Sequence, residues 1–139
     1  MPVSKRVRKS VVTAQPTTAA ADVAELMSEH KIGCVVIERG GEPVGIVTDR
    51  DIVVETIADG IVPPGMTAAD IMSRDVVTGD ADADVFDLCS EMCEAEVRRM
   101  PIVDDGELVG IVTMDDILRQ LSEKFRELTD VIAAESPPY

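Results

Sequence analysis

The sequence predicts a mixed α/β (α+β) fold of two βαββα repeats with an extended C-terminal helix, and three observations carry that expectation. First, Gly45-Ile46-Val47-Thr48-Asp49-Arg50-Asp51-Ile52 is echoed by Gly110-Ile111-Val112-Thr113-Met114-Asp115-Asp116-Ile117, an offset of 65 residues. Second, the offset holds without a gap. It places Val11-Val12-Thr13 on Val76-Val77-Thr78, Met27 on Met92, Ile37 on Ile102 and Gly41-Glu42 on Gly106-Glu107. Self-similarity in one register marks a repeated supersecondary unit. Third, each repeat alternates short β-branched runs with stretches of helical apolar spacing.

Taken in order, each repeat opens on a strand, Val11 to Thr13 or Val76 to Thr78. A helix follows, Thr17 to about His30 or Asp82 to about Ala95; in the first, Ala20, Val23, Ala24 and Met27 recur at three- and four-residue spacing, as a core-facing stripe does. Two strands come next, Cys34 to Ile37 with Val44 to Thr48, and Met100 to Val103 with Leu108 to Val112. Arg39-Gly40-Gly41-Glu42 and Asp104-Asp105-Gly106-Glu107 supply the glycine that a tight hairpin needs for positive φ. A second helix closes each repeat. The last is longer than its counterpart, with Ile117, Leu118, Leu121, Phe125, Leu128, Val131 and Ile132 keeping an apolar stripe to about Ala134. The organisation expected is repeat 1 over 7–60, a linker with a short helical turn over 61–74, repeat 2 over 75–122, and a helix extension and tail over 123–139. Pro63-Pro64-Gly65 breaks any helix in the linker, and Thr67-Ala68-Ala69-Asp70 reads as a capped turn.

Composition narrows the function. A chain of 139 residues leaves no room for a separate catalytic domain beside the repeats. Three aromatic residues, Phe86, Phe125 and Tyr139, leave the core to aliphatic side chains. The formal charge of −14, from 27 acidic and 13 basic residues, disfavours nucleic acid as a partner. A run of about 18 apolar residues is missing and the basic start has no apolar stretch behind it, so no membrane span or secretory signal is read and a cytoplasmic protein is expected. Three cysteines, Cys34, Cys89 and Cys93, do not form a disulfide framework and are expected as thiols.

The order strand, helix, strand, strand, helix, twice over, with Gly-Ile-Val-Thr-x-x-Asp closing each third strand and Asp70-Ile71-Met72 just before the second unit, resembles the CBS domain family over residues 7 to 122. The resemblance implies two repeats packed through their sheets as a pseudo-twofold CBS pair, a homodimer of such pairs, and adenosine compounds in two clefts: AMP, ADP, ATP or S-adenosylmethionine. No catalytic cofactor or metal is implied.

Physical chemistry gives the motif its own reason. Thr48 and Thr113 stand where a strand ends and a helix starts, so unpaired amides and the positive end of the helix dipole favour a phosphate there. Asp51 and Asp116, one turn on, have carboxylates able to accept both hydroxyls of a ribose. The family resemblance implies crossed sites. One nucleotide cleft would hold Ile46, Thr48, Arg50 and Asp51 with Thr78, Val97, Arg98 and Arg99; the other Ile111, Thr113 and Asp116 with Thr13, Ile32, Gly33 and Cys34. On that assignment the first cleft is the more cationic and takes the more highly phosphorylated nucleotide, since the second has Gly33, Cys34 and Asp115 in matching places.

Each feature also has a plainer reading. Thr-x-x-Asp after a strand is a helix capping box without any ligand. Arg98 and Arg99 can be solvated edge residues that deter aggregation. Cys89 and Cys93, four apart, read as small core residues rather than metal ligands, with His30 the sole histidine. Lys5, Arg6, Arg8 and Lys9 read as a solvated arm. The function expected is a nucleotide-binding sensor acting on a separate protein. The alternative is a ligand-free dimerisation or docking module using the C-terminal helix. An enzyme is the weakest reading, without a Walker loop, nucleophile elbow or metal cluster.

Overall fold

The computed structural model describes residues 11–58, 60 and 65–135. Residues 61–64 of the linker, the basic N-terminal residues and Tyr139 lie outside them. The first repeat contains strand β1 (Thr13–Ala14), helix α1 (Ala20–His30), strands β2 (Cys34–Arg39) and β3 (Glu42–Thr48), and the short helix α2 (Asp49–Ile52), which widens into a π-helical turn over Val53–Ile57. Helix α3 (Ala68–Ile71) follows. The second repeat contains β4 (Gly79–Asp80), α4 (Val85–Glu94), β5 (Arg99–Asp104), β6 (Glu107–Thr113) and the long α5 (Met114–Glu135).

Each repeat forms a three-stranded sheet, β1-β2-β3 or β4-β5-β6, with its first pair parallel and its second antiparallel. The two-residue hairpin turns have φ of 61° and 86° at Gly40 and Gly41 and of 53° and 81° at Asp105 and Gly106. Positive φ at both central positions matches the strand twist, and Asp is among the few residues besides Gly that tolerate it. Both hairpins carry a register shift at the same place, between Ile37 and Glu38 and between Ile102 and Val103.

Strand alternation sorts the apolar side chains between two layers. Val35 and Ile37 join Ala20, Val23 and Met27 of α1 in the core of the first repeat, while Met100 and Ile102 join Val85, Leu88 and Met92 of α4 in the second. Val23, Val35, Ile37, Leu88, Met92, Met100 and Ile102 are each wholly buried. Burial of such side chains stabilises by roughly 1.5–3 kcal/mol each. Val36 and Pro101, on the opposite strand faces, are also buried. The sheets meet through β3 and β6, and Leu108 N donates to Gly41 O across the repeats at 2.8 Å.

The first strands start later than the β-branched runs imply. Parallel pairing runs Thr13 to Val36 and Ala14 to Ile37, but only Gly79 to Ile102 is its counterpart in the second repeat, followed by Asp80 to Val103. In the first repeat Val36 N donates to Val12 O at 3.3 Å; the residue in Val36's place is Pro101, which has no N–H to give. The helices also start late. Thr18 Oγ1 accepts from Gln15 N at 3.0 Å and Asp80 Oδ1 from Asp82 N at 2.7 Å, so local side-chain turns hold the backbone that helical spacing assigns to α1 and α4. Helix α3 docks on the first repeat, with Ala20 N donating to Met66 O and Ala68 N to Thr18 O.

Candidate functional site

Each candidate cleft is built where a β-strand hands over to a helix. Thr48 caps α2: Asp51 N donates to Thr48 Oγ1 at 3.2 Å and Thr48 N to Asp51 Oδ2 at 2.8 Å. In the second repeat Asp116 N donates to Thr113 Oγ1 at 3.1 Å where α5 begins. The segments facing these caps leave the preceding helices through left-handed residues, Lys31 at φ 52° and Glu96 at φ 54°. They are tied to the new helices by equivalent bonds, Asp49 N to Gly33 O at 3.0 Å and Met114 N to Arg98 O at 2.8 Å.

Among the described residues, a cavity lies at each seam. The larger, about 410 Å³, takes Val11 and Val12 from before β1, Lys31, Ile32, Cys34 and Val36 from the first repeat, and Ile111, Thr113, Asp115, Asp116 and Arg119 from the second; Arg98 and Arg99 complete it. The smaller, about 190 Å³, is lined by Ile46, Thr48, Ser73, Asp75, Val76, Val77, Val97, Arg98 and Arg99. Small-molecule sites commonly span about 300–1,000 Å³, so the larger cavity falls within that range and the smaller below it.

The larger cavity brings together Ile32, Cys34, Ile111, Thr113 and Asp116 of the second predicted cleft; Thr13 and Gly33 are not on its wall. Thr13 is held in the β1 ladder. Gly33 has no side chain to present, and Arg99 Nη2 lies 3.2 Å from where its Cβ would stand. The smaller cavity brings together Ile46, Thr48, Val97, Arg98 and Arg99 of the first predicted cleft, but not Arg50, Asp51 or Thr78. Asp51 spends its carboxylate on the Thr48 amide, as a capping box does. Arg50 is exposed. Thr78 precedes β4, and Val76 and Val77 stand on the wall instead.

The cations are not divided between the two cavities as expected. The family resemblance assigns Arg98 and Arg99 to the first cleft alone, yet both line both cavities, because long side chains at the seam are not confined to one side. Arg98 Nη2 lies 3.4 Å from Asp115 Oδ1, turned to the second cleft, and Arg119 lies 4.0 Å from Asp116 there. Lys31 and Arg119 line the second cavity only; no repeat motif marks them, and nothing short of the fold brings Lys31 to Arg119. The Arg98–Asp115 pair is largely exposed on both sides, so it is worth about 0–1 kcal/mol and yields readily to a stronger anion.

Elsewhere, Cys89 packs against the core of the second repeat, whereas Cys93, expected in the core, is exposed. On α5 Ile117 is buried and Leu121 packs on the core, but Leu118, Phe125, Leu128, Val131 and Ile132 face outward, with Phe125 and Ile132 each 68% exposed. No helix among the described residues is long and apolar enough to cross a membrane.

Two equivalent βαββα units with a cleft at each strand-to-helix seam define a tandem-repeat module. The chain belongs to the CBS domain family, whose model matches residues 3–56 and 68–123. An uncharacterised protein of Methanopyrus kandleri is 44% identical over 119 residues, 84% of this chain but only 61% of that protein, so the chain spans about three fifths of that relative. The CBS domain-containing protein YhcV of Bacillus subtilis is 34% identical, covering 82% of this chain and 81% of its own length. Among solved structures, the CBS domain pair of protein MJ0100 in complex with 5′-methylthioadenosine and S-adenosyl-L-methionine superposes with a TM-score of 0.78 at 30% identity, over 89% of this chain and 98% of that one.

Proposed function

We propose that the chain is a regulatory module that binds an adenosine nucleotide, AMP, ADP or ATP, with S-adenosylmethionine as a less anionic candidate, and that it changes the activity of a separate protein. The second cavity carries this reading. Its lining includes Val12, Ile32, Val36 and Ile111, which offer apolar faces for a purine, and Lys31, Arg98, Arg99 and Arg119, which offer cations for phosphate. Thr113 and Asp116 stand at the N-terminus of a 22-residue helix, where dipole and amides favour an anion and a carboxylate reaches ribose hydroxyls. The MJ0100 pair, with two adenosine compounds bound, supports adenosine as the recognised moiety. Ligand acts on a partner to the extent that two arrangements of the module bind it with different affinity.

Thermal unfolding at fixed salt with AMP, ADP, ATP, S-adenosylmethionine and 5′-methylthioadenosine tests the reading. A ligand at about 100 times its dissociation constant stabilises by about 2.7 kcal/mol, several degrees for a chain of this size. A selective rise is expected; no rise with any compound rejects it.

The outward stripe on α5 favours a second role, a homodimer held by this helix or a docking surface that needs no nucleotide. Deleting residues 123–139 and measuring solution mass separates the two readings of the helix: a dimer that persists does not depend on it.

A further inference from the structure

We propose that the two clefts are antagonistically coupled through Arg98 and Arg99, a cationic wall common to both, so that an anion bound in one weakens anion binding in the other. The inference rests on the nucleotide reading of the clefts and adds their interaction to it.

Arg98 and Arg99 are the residues that line both cavities. Their backbone is fixed: Arg98 O accepts from Met114 N at 2.8 Å, and Arg99 pairs with Thr113 across β5 and β6. Only the side chains are left to move. Arg98 reaches Asp115 at the second cleft, while the Arg99 guanidinium stands over Gly33 beside Asp49, at the foot of the first repeat's own helix. A guanidinium drawn into one cleft to pair with a phosphate there is drawn away from the other.

The clefts do not share the pair on equal terms. The second cavity has Lys31 and Arg119 of its own, whereas the first, among the described residues, has the shared arginines as its lining cations, beside Asp75. A polyphosphate entering the second cleft gathers Arg98 and Arg99 with Lys31 and Arg119 and leaves the first with net negative lining. By linkage the effect is reciprocal, and site-to-site couplings commonly run about 5–150-fold.

ATP titrated calorimetrically into the full chain tests this. The second cleft is closed in two ways: by Ile111→Trp, and by N-ethylmaleimide on Cys34 in a Cys89→Ser, Cys93→Ser background, which acts on protein already folded. The expected result is two binding steps in the wild type, and in the closed forms one site at least about fivefold tighter than the weaker wild-type step. Adding Arg99→Met removes that gain. A remaining site equal to the weaker wild-type step, or a single wild-type step that disappears on closing, overturns the coupling while leaving nucleotide binding intact. Absence of heat and of thermal shift with both ATP and AMP in the wild type removes the nucleotide reading and the coupling with it.

Discussion

Arg99 of the second repeat stands over Gly33 of the first: its Nη2 lies 3.2 Å from where a Gly33 Cβ would be, and Asp49 Oδ2 is equally close to that point. A missing side chain in one repeat thus makes room for a guanidinium from the other. The φ of Gly33 lies outside the left-handed region, so alanine brings no backbone strain, and both neighbours are tips of flexible side chains. Gly33→Ala is expected to leave unfolding free energy within about 1 kcal/mol of the wild type while weakening ATP binding, because Arg99 is displaced. Urea unfolding and calorimetry check the two halves separately.

The two motif aspartates are expected to behave differently. Asp51 holds the Thr48 amide and is off the wall of the first cavity, so Asp51→Ala should cost about 0.5–2 kcal/mol of stability and leave the ATP-induced thermal shift in place. Asp116 lines the second cavity, so Asp116→Ala should remove most of that shift. Melting curves of both variants with and without ATP decide it.

Close packing makes two glycines intolerant. A Cβ on Gly79 would lie 2.6 Å from Leu88 Cδ2 and 2.9 Å from Met100 Sδ, and one on Gly45 would run into Met72 Sδ. Overpacking of this kind costs about 1–3 kcal/mol. Gly79→Ala should reach the upper part of that range, since Leu88 and Met100 are wholly buried, and Gly45→Ala the lower part, since Met72 is less enclosed. Denaturant midpoints of the two variants test the ranking.

The repeat was legible because its residues are equivalent one by one: Gly40-Gly41 and Asp105-Gly106 make the same turn, and Thr48 and Thr113 end the same strand. Where equivalence breaks, the reading from sequence fails for a local reason. Pro101 in the place of Val36 removes a ladder donor and moves the start of β4. The clefts were legible in their apolar and cap residues, Ile32, Ile46, Val97, Ile111, Thr48 and Thr113. Their cations were not, because a side chain as long as that of Arg99 is placed by what it meets across the seam and not by its register in a strand. Lys31 and Arg119 belong to neither copy of the motif; only folding brings them to one wall.

The thiols report on these environments. Burial, and after it the charge of Asp84, pushes the Cys89 thiol above its ordinary value, whereas Cys93 is exposed. The thiolate is the reactive form, so near pH 8 Cys93 should be alkylated before Cys89, and the Cys89 rate should keep climbing at higher pH. Mass spectrometry of partially labelled protein gives both rates.

Cys34 lines the second cavity, so its alkylation rate is the most direct measure of whether a nucleotide occupies that cleft. With saturating ATP at fixed salt, Cys34 should be labelled slowly and Cys93 at an unchanged rate. An unchanged Cys34 rate in protein that calorimetry shows to be ATP-loaded would contradict it and place the ligand elsewhere.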